Sequence, residues 1–348
     1  MNNKTQRFLI AILRFHGDVL LTTPIISEIK RICPNSKIDM LVYKGTGSIL
    51  ENDIRINKVV EAEISLETKL IKRIYKELSL LKSLRSSNYD YGIFLTTQWR
   101  MALMARSLSG VKTTGVQDIK RDKPFWINSF SSIFPEAGSG HIVERNLNAL
   151  KTLGFTNIDE KAELSLNISD ENISSVKELK SNYSIEGDYC LFHPVSRRES
   201  KLWRRESFAE LIDYYSNQGI KVVLTSGPDH KEREYLSEIE KLTKHDVVNL
   251  GGKTSLLELS CLIREAKFFV GLDSVASHIA AAVKTKGVTL FGPSNHNNWK
   301  PWSDQISVIS RSKEEFCKIH GEMGGKFKKC LCYISVERVI KEIDLIVR

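Results

Sequence analysis

The chain has 348 residues, long enough for two ordinary cores and too long for one, so two domains of roughly 150 to 200 residues are expected. Hydrophobic residues make up 41% and charged residues 27%, which excludes a disordered or membrane-embedded chain, and no run approaches the roughly 20 apolar residues of a span. Lys and Arg (51) exceed Asp and Glu (42), a formal charge of +9 that favours anionic partners such as phosphates or an acidic membrane face.

In chain order, residues 8–13 form a short branched apolar run, followed by Arg14-Phe-His-Gly-Asp18 and a stretch of helical spacing through residue 32. That is strand, turn, helix. The alternation continues with a strand at 38–43, an amphipathic helix at about 66–84, a strand at 91–95 and a helix at about 99–108. Residues 120–140 break the pattern with prolines and glycines and read as a mobile loop before a helix at about 142–153. A second series starts at residue 189: helix near 208–215, strand 221–224, helix near 230–242, strand 268–270, helix near 276–283, strand 287–291. Alternation of this kind predicts parallel sheets covered by helices, that is, two Rossmann-like doubly wound domains facing a cleft. The polar stretch at about 169–187 separates them, giving domains 1–175 and 176–334, with a terminal helix at 335–348 free to pack back on the first. No secretory segment is read, and Cys33, Cys190 and Cys261 sit in or beside apolar segments as small hydrophobes, so a cytoplasmic protein is expected.

Five loops carry candidate chemistry. Gly17-Asp18 follows the first strand and opens a helix, where Asp18 is either a cap for backbone N–H groups or a general base. The dinucleotide fingerprint Gly-x-Gly-x-x-Gly is absent there, which argues against a dehydrogenase. After the strand at 189, His193-Pro-Val-Ser196-Arg-Arg-Glu-Ser-Lys201-Leu-Trp-Arg-Arg205 puts five cations between Arg197 and Arg205, a density that suits a diphosphate. Thr225-Ser-Gly227-Pro-Asp-His-Lys-Glu232 is a further strand-to-helix turn, with a glycine for close approach and an acid for ribose hydroxyls. Gly271-Leu-Asp273-Ser274-Val275-Ala-Ser-His278 places His278 one helical turn beyond Ser274, at a helix start able to donate to phosphate. Finally Phe291-Gly-Pro-Ser-Asn-His-Asn-Asn-Trp299-Lys-Pro-Trp302 offers two aromatic faces, either for stacking or for the core. Cys317-x-x-His320 followed by Cys330-x-Cys332 invites a zinc reading, but Cys-x-Cys is tighter than the usual clip and no metal is assigned.

On these residues the chain resembles glycosyltransferase family 9, the ADP-heptose:lipopolysaccharide heptosyltransferases, over nearly its whole length. The Arg-Phe-His-Gly-Asp opening, the Thr225-Ser-Gly-Pro-Asp turn, the Trp299-Lys-Pro-Trp302 loop and the cysteine-bearing tail are most similar to the subgroup that adds the third heptose. The resemblance implies an α/β GT-B fold, an inverting mechanism without metal or cofactor, and ADP-heptose as donor. It implies a lipopolysaccharide inner-core glycolipid as acceptor, with the enzyme peripheral on the anionic cytoplasmic face of the inner membrane and no nucleic-acid partner. It places the catalytic base on Asp18 and donor contacts on Ser196, Lys201, Gly227, Glu232, Asp273, Ser274, Val275 and His278. Acceptor contacts fall on Arg14, His16, Gly17 and Arg100. Val275 departs from the glycine usual in the donor motif. The alternatives are acceptor specificity of the first- or second-heptose type, a nucleotide-sugar epimerase of similar architecture, and a catalytically silent binding protein.

Overall fold

The computed structural model describes residues 5–63, 70–292, 294–310 and 331–347, and the chain divides into two compact units, Met1–Asn167 and Ile168–Arg348. The first contains β1 (Arg7–Ile12), α1 (His16–Leu20), α2 (Thr23–Ile32), β2 (Lys37–Tyr43), β3 (Ile56–Ala62), α3 (Leu70–Ser86) and β4 (Tyr91–Phe94). It continues through α4 (Trp99–Ser107), β5 (Lys112–Val116), α5 (Pro124–Ile127), β6 (Ser132–Phe134) and α6 (Ile142–Thr152). All pairings are parallel, in the order β3-β2-β1-β4-β5-β6. Strand β1 is central and almost wholly buried, as a strand covered on both faces must be.

The second unit repeats the plan. It runs α7 (Asp170–Asn182), β7 (Tyr189–His193), α8 (Arg205–Ser216), β8 (Lys221–Leu224), α9 (His230–Leu242), β9 (Val248–Asn249) and α10 (Leu256–Glu265). Then follow β10 (Phe269–Leu272), α11 (Val275–Ala282), β11 (Gly287–Phe291), α12 (His296–Trp299), β12 (Ile306–Ser310) and α13 (Val336–Val347). Its parallel order, β12-β11-β10-β7-β8-β9, is the same doubly wound winding. Gly287 permits the contact between β10 and β11, because a Cβ there would lie 2.3 Å from the Phe269 carbonyl oxygen.

Three sequence expectations change. The segment at 169–187 is not a linker: Ser169 and Asn172 form a capping box that starts α7, and the unit boundary falls before it, after Asn167 rather than at 175. Within 120–140, expected as an open loop, Trp126 is buried with its Nε1–H donating to the Val116 carbonyl at 3.0 Å, and β6 adds an edge strand beside β5. The terminal helix α13 seats Val336, Val339 and Ile343 in the second unit's own core, each such side chain contributing about 2 kcal/mol of burial. Trp203 Nε1–H donates to the Ile334 carbonyl at 3.0 Å just ahead of it.

Candidate active site

In a doubly wound sheet the strand order reverses at one point, and the loops leaving the C-terminal strand ends on either side of it open a crevice for ligands. In the first unit that point lies between β1 and β4, and in the second between β7 and β10. Asp18, Lys201 and Asp273 follow β1, β7 and β10 at these points, whereas Glu232 lies on α9 after β8 and Arg100 on α4.

Asp18 is the third residue of α1, which begins directly after the β1 loop. Its half-buried side chain lies in the first turn of α1, next to the backbone of the N-cap residue Phe15. Burial pushes its pKa above the usual carboxylate value, against the pull of Arg14, the Phe15 backbone and Arg145. A carboxylate held more basic than usual, with two guanidiniums near it, is suited to accept a proton and to tolerate a polyanionic ligand. His16 Nε2–H donates to the Gly45 carbonyl at 3.1 Å, tying this turn to the loop after β2. Arg14 is exposed and Gly17 half-buried beside it.

Arg145 on α6 is the residue that sequence reasoning missed. It is 8% exposed, donates to the Leu95 carbonyl at 3.0 Å and to Asn146 Oδ1 at 2.7 Å, and pairs with Glu136 at 3.0 Å. Its anchor at Leu95 directly follows β4, on the other side of the switch point from Asp18. No motif marks it, since Glu144-Arg-Asn146 reads as an ordinary helical surface and only the tertiary fold buries it. Arg100, expected at the acceptor, instead engages Glu77 through Nε at 2.7 Å and Nη2 at 2.5 Å. It also donates to the Glu63 carbonyl at 3.2 Å, so its fork is largely spent bracing α3 against α4.

In the second unit the β7 and β10 loops are joined. Lys201 Nζ lies 2.6 Å from Asp273 Oδ2, with side chains only 16% and 9% exposed, and Ser196 Oγ–H donates to the Asp273 carbonyl at 3.3 Å. Ser274 is the N-cap residue of α11, yet it makes no side-chain cap bond, and among the described residues its buried Oγ meets no partner. A buried hydroxyl left so costs about 1–3 kcal/mol, which an incoming acceptor oxygen would recover. Val275 is the first helical residue and His278 is buried one turn on. At the next loop, Gly227 N–H donates to Glu232 Oε2 at 2.9 Å, and burial pushes the Glu232 pKa up. His193, at the end of β7, shares a 3.0 Å hydrogen bond with Thr225 Oγ1, and burial depresses its pKa to about 4.

Thus Ser196, Lys201, Asp273 and Ser274 come together, Gly227 pairs with Glu232, and Asp18 gathers Arg14 and Arg145. Trp299 and Trp302 are both half-buried. Cys317, His320 and Cys330 lie outside the described residues, while Cys332 is half-buried.

Two doubly wound units, each presenting polar and charged side chains at its switch point, define the architecture of a GT-B enzyme. Residues 77–330 match the family Glycosyltransferase family 9 (heptosyltransferase). The chain is 35% identical over 329 residues to lipopolysaccharide heptosyltransferase 3 of Escherichia coli (strain K12), covering 94% of each. A glycosyltransferase family 9 structure from Veillonella parvula superimposes with a TM-score of 0.84 at 22% identity, covering 100% of this chain and 98% of that one. E. coli heptosyltransferase WaaC with ADP does so with 0.76 at 21%, covering 98% and 99%. The chain belongs to glycosyltransferase family 9, the heptosyltransferases, and is a glycosyltransferase enzyme.

Proposed function

We propose that the chain transfers a heptose from ADP-heptose to the heptose region of the lipopolysaccharide inner core, adding the third heptose. The observation that carries the chemistry is the Asp18 carboxylate, made more basic by burial at the switch point of the first unit. The identity with heptosyltransferase 3, well above the level at which only a fold is shared, supports the acceptor class.

Asp18 takes the proton from the acceptor hydroxyl as that oxygen forms a bond to the anomeric carbon. The bond from that carbon to the β-phosphate oxygen breaks, and ADP leaves with the electron pair from the opposite face, inverting the centre. Lys201 and the cations at 197, 198, 204 and 205 neutralise the departing diphosphate, so the reaction is assigned to side-chain charge without a metal or cofactor. The N-terminus of α11 and the Ser274 hydroxyl, which meets no partner among the described residues, donate to the same oxygens. Glu232 is placed to accept from ribose hydroxyls through the oxygen that Gly227 leaves free. Arg14, His16 and Gly17 surround the acceptor, and Arg145 holds the charge balance of the base. The glycolipid acceptor places the enzyme on the cytoplasmic face of the inner membrane.

The test is incubation with ADP-heptose and a core glycolipid already carrying two heptoses, followed by mass spectrometry. A gain of one heptose is expected. Turnover of ADP-heptose with no mass gain on any core acceptor would replace this reading with an epimerase or hydrolase.

A further inference from the structure

Helix α3 has two apolar faces. Leu80, Leu81 and Leu84 pack into the first unit's core. Ile71, Ile74, Tyr75 and Leu78, at the spacing of a single stripe whose centre lies about a third of a turn from the centre of those leucines, are 82%, 51%, 74% and 60% exposed. A stripe of this kind is what a helix normally buries, and among the described residues these four side chains stay exposed.

The stripe is not isolated. α3 packs beside α4 and α4 beside α5, and α4 turns Trp99 and Leu103 outward at 39% and 55% exposure. Beyond them Phe125 and Ile127 on α5 are 44% and 40% exposed, and Ile119 is 96% exposed. Among the described residues, eleven of the fourteen strongly exposed large hydrophobics lie in the first unit, and nine of those are on this arc. Such concentration marks an interaction surface rather than the scattered apolar exposure of any protein.

Its charge selects the occupant. Arg106 lies over the Phe125 ring at 5.3 Å and Arg121 over Trp99 at 4.8 Å, so guanidiniums are interleaved with the aromatics. Exposed Lys72 flanks the α3 stripe, exposed Lys82 continues it, and Lys120 and Lys123 are exposed around α5. Among the described acids nearby, Glu77 is paired with Arg100 and Glu63 with Lys76, while Asp118, which accepts the Lys120 N–H, and exposed Asp122 are outnumbered by these cations. Apolar and aromatic side chains rimmed by cations are the composition of a surface that lies in the headgroup region of an anionic bilayer.

We propose that the α3–α4–α5 face of the first unit docks this enzyme on anionic phospholipid, with Ile71, Ile74, Tyr75 and Leu78 entering the headgroup–acyl boundary. The proposal deepens the glycolipid-acceptor reading and rests on it for its purpose, since an enzyme held on the membrane finds a membrane-anchored sugar by search in two dimensions.

The test is flotation of the full chain with vesicles of phosphatidylethanolamine and phosphatidylglycerol in about a 3:1 ratio, and with phosphatidylcholine alone. Binding to the anionic vesicles, weakened by salt and weak on phosphatidylcholine, is expected. The Ile71→Glu/Tyr75→Glu variant should lose at least about tenfold in partitioning. Lys120→Glu/Lys123→Glu should lose at least about fivefold per lysine. Ile54→Glu, at a position even more exposed but outside α3–α5, should bind as wild type. Transfer to a water-soluble acceptor stripped of its acyl chains should be unchanged in the Ile71→Glu/Tyr75→Glu variant, while transfer to acceptor embedded in vesicles falls. Wild-type partitioning by that variant, or equal binding to neutral vesicles, overturns the proposal. So does a wild-type dimer in solution that the variant converts to a monomer, because a second copy would then cover the stripe. Flotation does not use the sugar acceptor, so its failure leaves the transfer reading standing, and a failed transfer assay leaves the docking result standing.

Discussion

Lys201 Nζ and Asp273 Oδ2 are 2.6 Å apart and both side chains are largely buried, so the loops leaving β7 and β10 are locked together by one ion pair. Removing one partner strands the other's charge. Lys201→Met is expected to destabilise the protein by about 3 kcal/mol in urea unfolding, because Asp273 then stays buried without a counter-ion. It should also weaken ADP binding about tenfold or more by calorimetry. Unchanged unfolding and unchanged ADP affinity would remove this pair from the site.

Gly227 illustrates a position where a single methyl group tests a contact. A Cβ there would meet Glu232 Oε2 at 2.8 Å, so Gly227→Ala should displace the carboxylate from the Gly227 N–H and cost about 1–2 kcal/mol. In a Glu232→Ala background the same substitution should cost much less, since the obstructing oxygen is gone. A double-mutant cycle by thermal unfolding checks this, and additive effects would show that the two residues do not interact.

His193 controls stability in acid. Burial holds its folded pKa near 4, below the ordinary imidazole value of 6.5, so the unfolded chain takes up a proton first as the pH falls. Stability from this group is complete above about 6.5 and is lost as the pH falls toward 4, amounting to roughly 3 kcal/mol. His193→Gln should flatten that part of the pH–stability curve measured by urea unfolding between pH values of about 7 and 4. An unaltered slope would mean that His193 is not the group responsible.

Arg145 opposes the effect of burial on the Asp18 carboxyl. Its charge lowers the Asp18 pKa while burial raises it, so Arg145→Met should move the acidic limb of the pH–rate profile further toward neutrality. The same linkage has a stability side. The fold holds the Asp18 proton more tightly than the unfolded chain does, so that contribution is complete below the usual carboxylate range and is lost as the pH rises through the raised value. Asp18→Asn should therefore stabilise the protein more at neutral pH than in acid, as measured by melting temperature. An acidic limb that stays in place in Arg145→Met would disconnect the two residues.

Much of this arrangement was legible from residue order, for definite reasons. Buried parallel strands are apolar runs, and β8 and β11 fall on the residues expected for them, as does α9 with its Asp229 cap. The elements that were missed carry weaker signals. β5 reads Lys-Thr-Thr-Gly-Val, too polar for an apolar run, although its place between β4 and β6 buries four of its five residues. α7 buries only Val176, so no apolar stripe announces it, and its start at Ser169 rests on a cap. α10 did carry a readable signal, the Ser255-Leu-Leu-Glu258 capping box that the structure completes. Among the candidate site residues, Asp18, Lys201 and Asp273 follow strand ends, a position that residue order makes legible. Arg145 is not, because its role comes from burial between elements far apart in the chain.

If Asp18 is the base, single-turnover transfer from ADP-heptose by Asp18→Asn, with ADP affinity measured on the same preparation, should show wild-type ADP affinity, a rate lower on the order of 10²–10⁴-fold, and no acidic limb in the pH profile. Transfer within about twofold of wild type, with the acidic limb intact, would contradict it.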